Sequence, residues 1–548
     1  MHELIKIIVS KRVLFIKILA ASLLVNILAL ATPIYVIQVL QRYVAYGVTS
    51  TLITLMVGIF FVVIFEFFFR NIRHRMAREY EMNNVILANN VLNKFVMIKS
   101  HIFETSSKFR NDIINKHLVN IQNIFTGTTI IALIDVPFSF IFLLALFLIH
   151  FQLGLICLLF LAIPFLINAI YKKRIHTLSM QNTIINTNLY RIYDNVITRN
   201  LTIKYFKLLK SITNSWNLIA NSLASNKENV ESEKNVLNSF AYGTGALMTI
   251  FIIGWGATLA VDGQISVGAL IGANILAARA LAPINRYVQI QDGLSMASQS
   301  SKEIENYFKI SSELSTGSEI PNLKGNFKLI DLQFQYPSTK NPLFESLNHE
   351  IIPGQVVSIS GYNGSGKSTL IKVLSGVLEL SRGSILLDET HINQLSVQWY
   401  RDNLIYSPQE PKFVDGTLRE NIFGSNNIDN TILLNILKKT DLFDYVNNHE
   451  QGINMILENR GENLPIGIRK RISLARGIAN DGLLVCLDEP TEGLDKKGRD
   501  AVLNMVKEFK KKNKTVVIAT NEQSIIDISD SLIDLSSKPR PVVLKTKK

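Results

Sequence analysis

Six apolar stretches fall within the first 284 residues of this 548-residue chain. A helix needs about 20 apolar residues to cross the hydrocarbon core of a bilayer. Val13–Leu40, Thr51–Phe69, Gly127–Ile149, Gln152–Tyr171, Ser239–Val261 and Ser266–Ile284 reach or approach that length. The first could pass for a secretory signal, because Lys6, Lys11 and Arg12 precede it and Ala29-Leu30-Ala31 resembles a cleavage site. A signal core is only about 7–15 residues long, whereas this run continues through Pro33 to Leu40, so an uncleaved span is expected. From about Asn322 onward the pattern changes to that of a soluble α/β domain.

Charge sets the expected orientation. Arg70–Thr126 carries nine Lys or Arg residues and Lys172–Asn238 carries ten, while the opposite connections are short: Gln41–Ser50 holds only Arg42, and His150-Phe151 and Asp262–Ile265 hold none. Both long segments and both termini are therefore placed in the cytoplasm. The long segments are rich in helix formers and read as cytoplasmic continuations of the spans. The net charge of +13 could serve nucleic acid or an anionic membrane face. Its concentration beside the spans favours the membrane, and no nucleic-acid partner is expected. Cys157 and Cys486 have no partner at metal spacing and read as buried side chains.

Glu66, Asp135 and Arg279 lie within the spans. Ionisable groups at that depth are costly and usually face a cavity or a partner. Asp135 stands two residues before Pro137, which removes a helical hydrogen bond and frees a carbonyl. Asp135 either lines or gates a pathway, or is an interfacial carboxylate near the end of its span.

The second half carries chemistry. Phe327–Phe334 alternates as a strand. Gly361-Tyr-Asn-Gly-Ser-Gly-Lys-Ser368 fits the phosphate-cradling loop G-x-x-x-x-G-K-[ST]. The β-branched strand Val356–Ser360 precedes it and the helical pattern Leu370–Leu378 comes after it, so backbone N–H groups and a helix N-terminus face the phosphates. Lys367 would reach the outer phosphates and Ser368 would offer its hydroxyl to Mg²⁺. A second apolar strand, Leu483–Leu487, ends in Asp488 and Glu489. Two adjacent carboxylates after so buried a strand imply a nearby cation rather than a simple cap. A nucleoside triphosphate and Mg²⁺ are the expected cofactors, with Asp488 holding the metal through water and Glu489 polarising the attacking water.

Tyr336, the phosphate loop, Gln409 in Tyr406-Ser-Pro-Gln409, the stretch Gly461–Arg476, the Asp-Glu strand and Gly493-Leu-Asp495 occur in the order and spacing of an ATP-binding cassette (ABC). The chain thus resembles an ABC exporter half-transporter, with the fold class that implies: a six-helix α transmembrane domain fused to an α/β P-loop nucleotide-binding domain. Residues 1–310 would form the transmembrane domain with long cytoplasmic extensions, 311–322 a linker and 323–548 the cassette. Leu28-Ala-Leu-Ala-Thr-Pro-Ile-Tyr-Val-Ile-Gln38, Asp135-Val-Pro-Phe138 and Ala278-Arg-Ala-Leu-Ala-Pro-Ile284 resemble permease/ATPase subunits of bacterial type I secretion systems.

The resemblance implies roles. Tyr336 would stack on adenine. Gly361, Asn363, Gly364, Ser365, Gly366, Lys367, Ser368 and Thr369 would bind phosphates. Gln409 would touch Mg²⁺ together with Ser368 and Asp488. Glu489 would be the general base, and Gly467 and Asp495 would serve the nucleotide across a dimer. ATP would be sandwiched between the phosphate loop of one subunit and the signature loop of the other. One of each per chain implies a dimer, with a second copy or with a different subunit.

Two positions depart from the family pattern. The signature Leu-Ser-Gly-Gly-Gln is here Leu464-Pro465-Ile466-Gly467-Ile468. Pro465 has neither hydroxyl nor N–H, and Ile466 limits close backbone approach. Asn521 stands where the family has a histidine; it can donate a hydrogen bond but cannot carry a proton. Each loss would cost about 2–4 kcal/mol of transition-state stabilisation if it resembles loss of an oxyanion donor. In a homodimer both sites carry both defects, and slow or tightly coupled turnover with intact ATP binding is expected.

The expected function is ATP-driven export of unfolded protein or peptide across a bacterial inner membrane. A periplasmic adaptor and an outer-membrane duct would be the partners, beside membrane lipid. The short segment before the first span leaves no room for a leader-cleaving peptidase domain, so no processing of cargo by this chain is expected. The rivals are a lipid or drug exporter of the same architecture, and a regulatory subunit that binds ATP but barely hydrolyses it.

Overall fold

The computed structural model describes residues 12–105, 113–313, 317–337, 339–424 and 429–545. Lys6 and Lys11 ahead of the first span, and residues 314–316 of the expected linker, lie outside them. The chain folds as two compact units, one of Met1–Val96 with Arg110–Ile310, the other of Met97–Phe109 with Ser311–Lys548.

The first unit holds six helices long and apolar enough to cross a membrane: α1 (Arg12–Val44), α2 (Thr49–Arg78), α3 (Gly127–Ile149), α4 (Phe151–Thr198), α5 (Leu209–Val261) and α6 (Val267–Phe308). Each contains one of the expected apolar stretches, with only Ser266, the cap of α6, left outside. α4, α5 and α6 run far beyond their apolar parts, so the polar segment Lys172–Asn238 is largely helical, as its composition suggests. The polar segment after α2 behaves differently. Its helix ends at Arg78 and the chain continues in the shorter helices Met82–Met97, Ser100–Thr105 and Ile113–Ile124. α1 is interrupted by a turn at Leu30 and closes in a π-helical turn, Val39–Val44. α3 runs from Gly127 to Ile149 through Pro137. Side-chain hydroxyls cap two starts: Thr126 accepts from the Thr129 N–H at 3.4 Å and Ser266 from the Ala269 N–H at 3.1 Å, each satisfying a donor the helix cannot.

The membrane-type core gathers Phe142 and Leu146 of α3, Leu153 and Cys157 of α4, Met248 and Ile252 of α5, and Ala273, Ala277 and Ala280 of α6. The alanines of α6 let backbones approach closely, the packing mode available where lipid removes any hydrophobic drive between helices. The apolar window of α2 has no buried residue; Phe60, Phe61, Phe65, Phe67 and Phe68 all face outward.

The strands of the second unit are β1 (Phe327–Phe334), β2 (Phe344–Ile351), β3 (Val356–Ser360), β4 (Arg382–Leu387), β5 (Thr390–His391), β6 (Leu404–Ser407), β7 (Gly416–Thr417), β8 (Ile456–Leu457), β9 (Leu484–Asp488), β10 (Thr515–Ala519), β11 (Ser531–Asp534) and β12 (Val542–Lys545). They form an antiparallel sheet ordered β2-β1-β4-β5 and a six-stranded sheet ordered β12-β11-β3-β10-β9-β6, while β7 and β8 pair separately. β3, β10, β9, β6 and β11 are parallel, and only the edge strand β12 is antiparallel. β9 and β10 are buried along their whole length, which is why their sequences are near-continuous apolar runs rather than alternating ones. In this register Ala519 lies beside Asp488 and Ile359, so the loops leaving β3, β9 and β10 emerge along one edge. That edge, at the carboxyl ends of parallel strands, is where such sheets bind ligands.

The second unit also includes a short helix from early in the sequence. Lys99 pairs with Glu379 at 2.8 Å, and Glu104 of helix Ser100–Thr105 pairs with Lys372 at 2.8 Å. Glu313, within the expected linker, pairs with Arg401 at 2.6 Å and accepts from the Ser100 hydroxyl at 3.1 Å.

Candidate nucleotide site

The loop after β3 turns sharply, with Gly361, Gly364 and Gly366 at φ of +151°, +81° and +112°. A side chain at these angles is strained, and a Cβ on Gly361 would sit 2.5 Å from the Ser365 hydroxyl oxygen. The glycine spacing read from the sequence thus marks backbone need. Helix α7 (Lys367–Leu374) begins directly after Gly366, so its free N–H groups open toward the loop. Ser365 is buried, and its hydroxyl has no hydrogen-bond partner. A buried orphan hydroxyl in this glycine-rich loop fits a phosphate oxygen.

Lys367 is buried and folds back over the loop. Its ammonium donates to the Gly361 carbonyl at 2.8 Å and lies 3.4 Å from Glu489 Oε1. The Ser368 hydroxyl donates to Asp488 Oδ1 at 3.0 Å, and Gln409 Oε1 lies 3.4 Å from the same oxygen. Three oxygen donors from α7, β9 and the segment after β6 therefore converge, the set a hard divalent cation such as Mg²⁺ takes. Gln409 is steadied from behind, donating to Glu492 at 3.2 Å. Tyr336 stands half-buried, edge-on to Phe334 at 4.9 Å, with its hydroxyl 3.1 Å from that of Thr369. Asn363 is exposed at the loop tip.

Burial pushes the carboxyl groups of Asp488 and Glu489 above the ordinary range. For Asp488 the Ser368 hydroxyl and Lys470 act against that rise; for Glu489, Lys367 does. Both are poised to gain from an added cation.

Asn521 is tied in both directions to one residue of the phosphate loop. Its Oδ1 accepts from the Gly361 N–H at 3.1 Å and its Nδ2 donates to the Gly361 carbonyl at 3.0 Å. Its amide is thus a brace on the loop's first glycine. The signature segment is elsewhere: Pro465 caps the start of α8 (Ile466–Ala479) without a side-chain hydrogen bond. Among the described residues no hydrogen bond joins 464–468 to the phosphate loop. Asp495 caps α9 (Lys496–Lys511), accepting from the Gly498 N–H at 2.9 Å and from Arg471 at 2.7 Å. The Gly498 N–H, and then Arg471, hold its carboxyl below the ordinary range. Gly467 packs near Gly493: a Cβ there would meet the Gly493 carbonyl at 3.3 Å.

Two residues of consequence are invisible in the sequence. Lys470, in the basic run Arg469-Lys470-Arg471, looks like a solvated face but is fully buried beside Glu489. In the membrane unit Arg73, one of several charges toward the end of α2, pairs with Asp135 at 2.7 Å with both side chains buried. Neither has a motif that would flag it.

Residues 344–492 match the family described as ABC transporter, and residues 15–282 match the ABC transporter transmembrane region. The leukotoxin export ATP-binding protein LtxB of Aggregatibacter actinomycetemcomitans is 25% identical over 537 residues, 96% of this chain and 75% of that one. The toxin RTX-I translocation ATP-binding protein of Actinobacillus pleuropneumoniae is 23% identical, again over 96% of this chain and 75% of the relative. Among solved structures, that of a bacterial Atm1-family ABC exporter with ATP bound superimposes with a TM-score of 0.84, covering 97% of this chain and 95% of that one at 18% identity, a likeness of fold. With both halves matched, the chain belongs to the ABC transporters: it is a multi-span membrane protein of the exporter half-transporter type, whose ATP-binding domain couples ATP hydrolysis to transport.

Proposed function

We propose that this chain is the ATP-driven permease of a type I protein secretion system in a bacterial inner membrane. In this proposal it acts as a dimer with both termini cytoplasmic, and passes protein or peptide to a periplasmic adaptor and an outer-membrane duct. The observation that carries it is similarity over 96% of the chain, membrane half included, to toxin export proteins.

At the site, Lys367, the loop N–H groups and the start of α7 bind the phosphates, with Tyr336 beside the base. Ser368, Gln409 and Asp488 would hold Mg²⁺, which would supply neutralisation of charge on the transferred phosphoryl group. Glu489 orients and deprotonates the attacking water once Lys367 turns to the nucleotide. Asn521 keeps Gly361, and with it the loop, in place. Residues 1–310 serve as the translocation domain, 311–322 as the linker and 323–548 as the motor. A weakly hydrolysing regulatory role is the second reading, favoured by Pro465 and Ile466 at the signature loop.

The test is ATP turnover in lipid discs, with Glu489→Gln alongside. Slow turnover by the wild type, none by the variant and ATP binding by both is the expected result. Equal turnover by both would remove Glu489 from its role. Binding without turnover in either would favour the regulatory reading.

A further inference from the structure

Lys470 is the charged side chain most at odds with its surroundings. It lies in the second turn of α8, is 0% exposed, and its ammonium donates to the backbone carbonyl of Glu489 at 2.6 Å. Burying an ammonium is expensive unless charge and hydrogen bonds compensate. Compensation comes from one place: the acidic groups acting on Lys470 are Glu492, Asp488, Glu489 and Glu410, in that order, and they oppose the fall in its pKa that burial causes. Three of the four are the proposed base, the proposed metal partner and the residue that steadies Gln409.

The residue it grips is itself unusual. Glu489 adopts φ +46°, a left-handed conformation that side-chain-bearing residues avoid, and its N–H is held by the Ala519 carbonyl at 2.8 Å. Such strain persists only where the surroundings over-determine it. The Ala519 carbonyl fixes one end of the residue and the Lys470 ammonium the other. Next in sequence, Arg471 pairs with Asp441 at 2.8 Å and Asp495 at 2.7 Å, so α8 is tied to two further segments beside this contact.

We propose that Lys470 is a positioning residue for ATP hydrolysis: from the signature helix it clamps the backbone of Glu489 and holds that carboxylate at the angle the attacking water requires. It touches neither nucleotide nor water. The inference rests on Glu489 being the general base.

The test uses the full-length protein in lipid discs and single-turnover cleavage of ATP, which reads slow rates directly. Lys470→Met keeps length and apolar bulk but loses donor and charge; Lys470→Gln keeps a donor on a shorter stem. A reacting group displaced by about 1 Å costs on the order of a hundredfold, so Lys470→Met should lower the cleavage rate by about that factor, and Lys470→Gln by less. ATP affinity should be unchanged in both, and hydrogen exchange should rise at Asp488–Thr491. Cleavage by Lys470→Met at the wild-type rate overturns the proposal. So does an equal loss of cleavage and ATP affinity in both variants, which marks a structural role only. If Lys470→Met does not fold, Lys470→Gln decides by the same readouts. Glu489→Gln is measured in parallel: if it cleaves ATP normally, the base assignment has failed rather than the clamp.

Discussion

Asn521 shows how a single side-chain amide can hold a loop. Both ends of its amide are spent on Gly361, so it acts on the shape of the phosphate loop. A net hydrogen bond is worth about 1 kcal/mol, about fivefold in an equilibrium constant, so Asn521→Ala, which removes two, should weaken ATP binding by about fivefold or more, as read by nucleotide titration. Unchanged affinity would show that the loop holds itself. The loop is legible in the sequence because its glycines answer a backbone requirement that no other residue meets. The brace from Asn521 and the burial of Lys470 are not. Both depend on how β10 and α8 are placed against β3 and β9, and nothing local in Thr520-Asn521 or Arg469-Lys470-Arg471 encodes that.

Among the described ion pairs of the membrane unit, the one between α2 and α3 has both side chains buried. Arg73 reaches Asp135 at 2.7 Å and the Ser22 hydroxyl of α1 at 3.4 Å, all three residues buried. Asp135 is thus neither an open lining group nor a solvated interfacial one but half of a pair. Removing one member of a buried pair costs about 3–5 kcal/mol, whereas replacing both with apolar groups is often neutral. Asp135→Leu and Arg73→Met should each lower the thermal midpoint in detergent, and the double variant should recover most of the loss. A double variant as unstable as the sum of the singles would refute the pairing. Strand and span positions follow closely from the apolar pattern: β1 and β3 have the expected limits, and all six spans are present. The cytoplasmic extensions are read only in part: composition gives the helical continuation through Lys172–Asn238, but not the breaks that divide Arg70–Thr126 into shorter helices. Arg73 is hidden for a related reason, since a charge past the apolar part of a span reads as topology until its helix is placed beside α3.

At the scale of the molecule, the signature residues and the phosphate loop of one chain are not hydrogen-bonded to each other among the described residues, and the proposed dimer would bring the signature residues of one chain to the phosphate loop of the other. Pro465 starts α8 without supplying a capping hydroxyl, and Ile466 is exposed. Pro465→Ser with Ile466→Gly should raise turnover by about thirtyfold or more, the scale of a regained donor to developing charge. No gain in ATPase rate would mean that other groups already do this work. The helix Ser100–Thr105 belongs to the second unit although its neighbours in sequence belong to the first. The motor is therefore not a contiguous module. An excision beginning at Ser311 would strand Glu379, Lys372 and Arg401 without the ionic or hydroxyl partners they have in Lys99, Glu104 and Ser100. Recombination that swapped whole cassettes between relatives would separate those pairs too, so the two stretches should be inherited together, and a transplanted motor should carry Met97–Phe109 with it.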